Sequence, residues 1–145
     1  PGFTRPGSSC DVPVISTYFF PTILDIAGHP ALPDQHPDGL SLVPLLKQTG
    51  ELTRKDLFWH YPHYSNQGGM PGGAIRRGDY KLIERFEDGR VHLYNLAKDI
   101  GEQTDLAEQM PGRVEGMRAS LHEWYKEVDA RFLVARPDGP QPWRP

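Results

Sequence analysis

The stretch AIRRGDYKLIERFEDGRVHLYNL, residues 74–96, decides the fold. Ile75 precedes a break at Gly78-Asp79, and Tyr80, Leu82 and Phe86 follow it on an alternating face. Such a period of two is the mark of a strand with one face buried. Glu87-Asp88-Gly89-Arg90 is a second break with hairpin chemistry. Beyond it Val91, Leu93 and Asn95 share one face, and His92, Tyr94 and Leu96 the other. Upstream, LFWHY at 57–61 reads as a further strand, separated from the hairpins by the loop SNQGGMPGG, residues 65–73. Three or four strands joined by hairpins make an antiparallel sheet.

The sheet needs a cover, and the sequence supplies one after Pro111, a residue suited to a helix's first turn. Val114, Met117, Leu121, Trp124 and Val128 recur at spacings of 3, 4, 3 and 4. They form one stripe on a helix of roughly 20 residues, with Glu115, Arg118, Glu123 and Lys126 off it. The expected fold class is therefore α+β: a small antiparallel sheet of about four strands with a long C-terminal helix packed across it. The polar connection 97–109 carries one apolar peg, Leu106, and the Pro-rich tail 135–145 is expected to be loose.

Ahead of the sheet, Ser16 or Thr17 is placed to cap a helix that ends at Gly28. Pro21 falls near its first turn, where the missing N–H costs least. Phe19, Phe20, Ile23, Leu24 and Ile26 cover most of this short cylinder, so it asks for burial on more than one side. Residues 29–39 hold three prolines without periodicity and read as loop; residues 41–50 are a short apolar turn or helix.

Composition bounds the function. The 145 residues suffice for one core. With 37% hydrophobic and 24% charged residues, the chain reads as globular, neither disordered nor membrane-embedded. A net charge of −3 without a basic block argues against nucleic acid as the main partner. Cys10, the single cysteine, cannot form an internal disulfide or a thiolate zinc cage. The chain opens on Pro1 with no signal-peptide pattern, which reads as a fragment of something longer.

The richest chemistry is in FWHYPHY, residues 58–64. His60 and His63 are three apart with Pro62 between them, which forbids the helical His pair of a zincin, and no third ligand stands nearby. A metal site in this chain is not expected. No Ser lies in a G-x-S-x-G elbow, and the glycine loop lacks the Lys-Ser/Thr of a P-loop. Asp34, Asp38, Asp56, Glu84, Glu87 and Asp88 are scattered through turns and strand edges and read as solvated or capping carboxylates. Two readings of the aromatic stretch stay open. It is a strand with its polar rings at the sheet edge, or His60 and His63 leave the strand end to face a polar ligand.

The order VISTYFFPTILDIAG, DGLSLVPLL, DLFWHYPHY and AIRRGDYKLIERFEDGRVHLYNLAKDIGEQTDLAE, followed by a terminal helix, resembles the C-terminal part of a type I sulfatase, arylsulfatase A-like, in the alkaline phosphatase superfamily. The resemblance runs over roughly residues 11–133. Ile100 stands where that family commonly has Pro, and Thr104-Asp105 where it commonly has Asn. The resemblance implies a division into residues 1–50, a helix and loops from the edge of a missing α/β catalytic domain; residues 51–134, the sheet-plus-helix subdomain; and the tail 135–145. It implies sulfate-ester hydrolysis by the full-length protein, with a formylglycine made from C/S-x-P-x-R and a calcium ion. Cys10 is followed by Asp11-Val12-Pro13, one place too late for that motif, so no catalytic residue, formylglycine or calcium ligand is expected in this chain.

What the resemblance leaves to this chain is the rim of the substrate pocket, with His60, His63, Asn66 and Gln67 as candidate substrate-binding residues, and Phe58 and Trp59 anchoring their strand. The implied partners are the N-terminal catalytic domain and a sulfated small molecule or glycan, with no nucleic acid and no membrane. The implied location of the whole protein is the periplasm or the exterior. Two alternatives stand beside this: a self-standing carbohydrate-binding or interaction module, and the C-terminal part of a related phosphodiesterase or phosphonate hydrolase.

Overall fold

A computed structural model describes residue 2 and residues 4–145. The chain divides into two compact units at Lys55–Asp56.

In the first unit a 3₁₀ turn, Ser16–Tyr18, runs directly into α1, Phe19–Ile26. Neither Ser16 nor Thr17 caps it; the residue ahead of the turn is Ile15, and no side chain closes the N-terminus. Thr22 is the hydroxyl that is used. It donates to Tyr18 O at 2.6 Å and accepts from Leu42 N–H at 2.9 Å, tying α1 to the start of α2, Val43–Leu46. The helix ends as its sequence demands. Gly28 takes φ +74, its N–H reaches Asp25 O, and His29 N–H reaches Leu24 O at 2.9 Å, which is the paired bonding of a Schellman motif. Tyr18, Pro21 and Thr22 are buried, whereas Phe19, Phe20, Ile23 and Ile26 are 62%, 43%, 64% and 49% exposed. The surplus apolar surface read from the sequence is real.

The second unit is a four-stranded antiparallel sheet in the order β1 (Asp56–Tyr61), β2 (Gly72–Arg77), β3 (Tyr80–Arg85), β4 (Val91–Asn95), followed by α3 (Pro111–Glu127). The β2–β3 turn is Gly78-Asp79, with Gly78 at φ +57, the sign that the first position of a tight hairpin turn favours. The wider β3–β4 turn holds Gly89 at φ +70.

Register assigns the faces. Phe58, Ile75, Leu82 and Leu93 are aligned across the four strands, and so are His60, Gly73, Glu84 and Val91. Both rows lie on the face that α3 covers. Ile75, Leu82 and Leu93 are fully buried there with Phe86, Met117, Leu121 and Tyr125. Phe58 stacks on Trp124 with centroids 5.0 Å apart and planes 8° off parallel. Trp59 does not join it. Adjacent strand residues face opposite sides, so Trp59 turns to the other face and is 39% exposed; of the two, only Phe58 packs on the helix. At the helix's far end Val128 lies past the last turn and is exposed, and Tyr125 takes the buried position instead.

The connection to α3 is pinned by Asp105. Its carboxylate accepts from Leu93 N–H at 3.0 Å, Ala107 N–H at 2.9 Å and His92 Nδ1 at 2.8 Å. The tail has no regular element, yet it does not hang loose. Phe132 packs edge-on against Phe86 and Tyr125, and Trp143 stacks on Phe86 at 6.4 Å. Trp143 also lies over Gly89, where any side chain would displace it.

Candidate substrate-rim site

The loop between β1 and β2, residues 62–71, closes on itself. Ser65 N–H bonds Gly69 O at 3.0 Å, Gly68 N–H bonds Ser65 O at 3.1 Å, and Gln67 N–H reaches Ser65 Oγ at 3.1 Å. Gly68 supplies the positive φ, +87, that this tight return needs. Asn66 and Gln67 therefore ride on the tip, exposed. His63 is exposed too, with its ring edge-on to Tyr61 at 5.5 Å. At the loop's end Pro71 is buried, and its carbonyl accepts from Phe86 N–H at 3.0 Å.

His60 behaves differently from the other three. It occupies the helix face of β1, and its ring is enclosed by Phe86, Tyr125 and Phe132 at centroid distances of 5.2–5.4 Å. Nε2 donates to Arg131 O at 2.6 Å. A carbonyl only accepts, so that bond assigns the proton to Nε2. The structure thus brings His63, Asn66 and Gln67 together on one exposed loop and turns His60 inward, where it ties the root of that loop to the segment after α3.

Tyr64 extends the exposed group. Its hydroxyl donates to Glu87 Oε1 at 2.9 Å, and Arg85 Nη2 donates to Glu87 Oε2 at 2.9 Å. The bond to Glu87, with smaller contributions from desolvation and from Glu87's charge, pushes the phenol's pKa up. Tyr64 therefore stays a neutral hydrogen-bond donor across the physiological range.

Sequence reasoning missed a second polar group beneath this end of the sheet. Glu84, read as a solvated carboxylate, is wholly buried. Arg118 Nε meets its Oε1 at 2.6 Å, and His122 Nε2 lies 2.9 Å from both oxygens. Burial above all, and then the charge of Glu84, drive the Tyr125 phenol far above its ordinary range. The signal was present: Glu84 lies between Leu82 and Phe86 on the alternating face, and Arg118 and His122 are one helical turn apart. This group joins sheet to helix and stays beneath the surface that the rim loop presents.

The exposed loop offers imidazole and amide hydrogen-bonding groups, the equipment for recognising a hydroxyl-rich or anionic ligand. Among the described residues no three or more His, Cys, Asp or Glu side chains gather as a metal ion would require, so the residues present do not fit a calcium site. Cys10 is a free, exposed thiol in the first unit. Among the described residues no helix is long and apolar enough to cross a membrane.

Comparison with known proteins gives this arrangement its context. The family described as N-sulphoglucosamine sulphohydrolase, C-terminal, matches residues 1–131. A protein of Formosa agariphila named sulfatase is 36% identical over 123 residues, covering 78% of this chain and 22% of its own length. Human arylsulfatase A is 33% identical over 146 residues, covering 85% of this chain and 28% of its own. A structure solved in complex with its substrate D-glucosamine-2-N,6-O-disulfate superposes with a TM-score of 0.65 at 27% identity, covering 77% of this chain and 24% of that one. The chain spans about a quarter of the length of these relatives. With its sheet, its terminal helix and this match across residues 1–131, the chain belongs to the N-sulphoglucosamine sulphohydrolase C-terminal family, among the sulfatases.

Proposed function

We propose that this chain is the C-terminal part of a sulfatase, and that it forms the rim of the substrate pocket while the nucleophile and the calcium site lie in an N-terminal catalytic domain. The observation that supports this reading is the self-closed loop 62–71, which holds His63, Asn66 and Gln67 exposed on a rigid root. Recognition groups on a loop carried by a scaffold are where specificity is built. His60 acts as a positioning residue through its bond to Arg131 O, and His63, Asn66 and Gln67 meet the substrate. The substrate class is a sulfated sugar, by analogy with the neighbour solved with a glucosamine disulfate. When bound, calcium and formylglycine would supply sulfate activation and the attacking oxygen. The same reading places the whole protein in the periplasm or outside the cell, which fractionation of the producing organism checks.

The test is kinetic and uses the full-length enzyme. A hydrogen bond from a side chain to a charged group contributes roughly 1.5–3 kcal/mol. His63→Ala should therefore lower kcat/KM on a sulfated oligosaccharide by about ten- to hundredfold and leave a small aryl sulfate nearly unaffected. Equal losses on the two substrates would rule out a rim role for His63. Absence of sulfate release from any sulfated sugar or aryl sulfate would sink the sulfatase reading itself.

A further inference from the structure

The rim loop and the C-terminal segment enclose a cleft that the role above leaves unused. It measures about 300 Å³, and its wall includes Tyr64, Glu87, Leu133, Arg136, Gln141 and Pro142. That is the lower end of the range for small-ligand clefts. Tyr64 is 65% exposed, yet its ring is held. The hydroxyl is fixed on Glu87, and Glu87 is fixed in turn by Arg85. The ring is thus held in one orientation in the wall of the cleft, with little ordering left to do on binding. Leu133 and Pro142 add apolar wall, and Gln141 and Arg136 add polar groups.

Charge narrows the ligand. The carboxylate of Glu87 is answered by Arg85 at 2.9 Å, and Arg85 Nε also lies 3.6 Å from Asp88. Arg136 is exposed, and among the described residues its guanidinium has no ion-pair partner. Asp138, two residues on in the same turn, does not line the cleft. The cleft wall therefore combines an aromatic ring, apolar side chains, an amide and one cation without an ion-pair partner among the described residues. A pyranose ring has an apolar C–H face that stacks on such a ring. A sulfate or carboxylate on its edge would find the planar fork of the guanidinium.

We propose that this cleft is a second sugar subsite beside the rim loop, and that it takes an anionic sugar ring stacked on Tyr64 with its charged group on Arg136. The inference rests on the sulfatase reading only for the ligand being a glycan. The experiment is an NMR titration of the isotope-labelled 145-residue chain. The probes are tetrasaccharides derived from chondroitin sulfate and from heparin, with uncharged chitotetraose as the neutral comparison. Saturable shifts should appear at Tyr64, Glu87 and residues 133–142. The anionic probes should bind about tenfold tighter than the neutral one. Tyr64→Ala should weaken all binding by about tenfold or more. Arg136→Gln should abolish the preference for the anionic probes over chitotetraose. Both side chains are exposed, and retained spectral dispersion confirms that the variants fold.

Absence of saturable shifts with every tetrasaccharide overturns the proposal. So does Tyr64→Ala binding with unchanged affinity, or shifts confined to other surfaces. The two readings fail separately: a full-length protein that releases no sulfate defeats the enzymatic reading, while the titration still decides the subsite.

Discussion

Glu84 is a carboxylate with no exposure to water, and its stability depends on the partners that surround it. Arg118 supplies a full opposite charge at 2.6 Å, and His122 supplies a second hydrogen bond. Breaking such a group by removing one member leaves the others desolvated and unmatched, at a cost of about 3–5 kcal/mol. Arg118 is 35% exposed and regains some hydration. Glu84→Ala should therefore destabilise by about 3 kcal/mol, read as a lower urea midpoint at unchanged slope. Asp105 gives the residue-scale pH dependence. Partial burial works to raise its carboxyl, but the N–H groups of Leu93 and Ala107, together with His92, outweigh it and hold the pKa below its ordinary value. A lowered folded pKa means stability that is full above the unfolded value of 3.8 and is lost as pH falls through the folded value. Asp105→Asn keeps an acceptor for the two N–H groups and removes the charge. The drop in urea midpoint between pH 6 and pH 3 should be smaller in this variant than in the parent chain.

At the scale of elements, the decisive position is Gly73 on β2. It faces α3 between His60 of β1 and Glu84 of β3, and the Tyr125 hydroxyl occupies the space its side chain would fill. A methyl group there overlaps that oxygen, so Gly73→Ala must push α3 away from the sheet or expel the tyrosine ring. Overpacking of this kind costs about 1–3 kcal/mol, and thermal melting should show it as a lowered Tm. Combining it with Tyr125→Leu should recover part of the loss, because the shorter side chain clears the strand. Additive losses in the double variant would show that the two residues do not share the space. The glycine at 73 was read from sequence as the end of a flexible loop, and the structure places it inside a strand. Its conformational freedom is unused, and its absent side chain is what the element needs.

At the scale of the whole molecule, α1 carries the clearest consequence. Phe19, Phe20, Ile23 and Ile26 leave their side chains largely open to water along one short helix. Isolated apolar residues at a surface are ordinary, but four on eight residues form a patch. In the proposed full-length protein this patch would be the surface set against the catalytic domain. The 145-residue chain alone should therefore self-associate at micromolar concentration, and a Phe19→Lys/Ile23→Lys double variant should shift it toward monomer in sedimentation velocity. A parent chain that stays monomeric up to its solubility limit would argue against an unpartnered interface there.

Periodicity by itself determined the sheet, its two hairpins and the helix that covers it, because burial on one face imposes a period of two on strands and 3.6 on helices. It also determined the end of α1, since the left-handed turn at Gly28 is a local matter of backbone sterics. Local pattern could not determine what faces what across elements. His60 and His63 look equivalent in FWHYPHY, yet one is enclosed by three aromatic rings while the other stays exposed beyond Pro62. His60 is turned inward only once α3 and the segment after it define which face of β1 is inside, and His63 lies past the strand's end. Glu84 likewise became a buried anchor only when the helix brought Arg118 and His122 to it. Those outcomes are set by contacts between residues dozens of positions apart, and tertiary packing alone decides them.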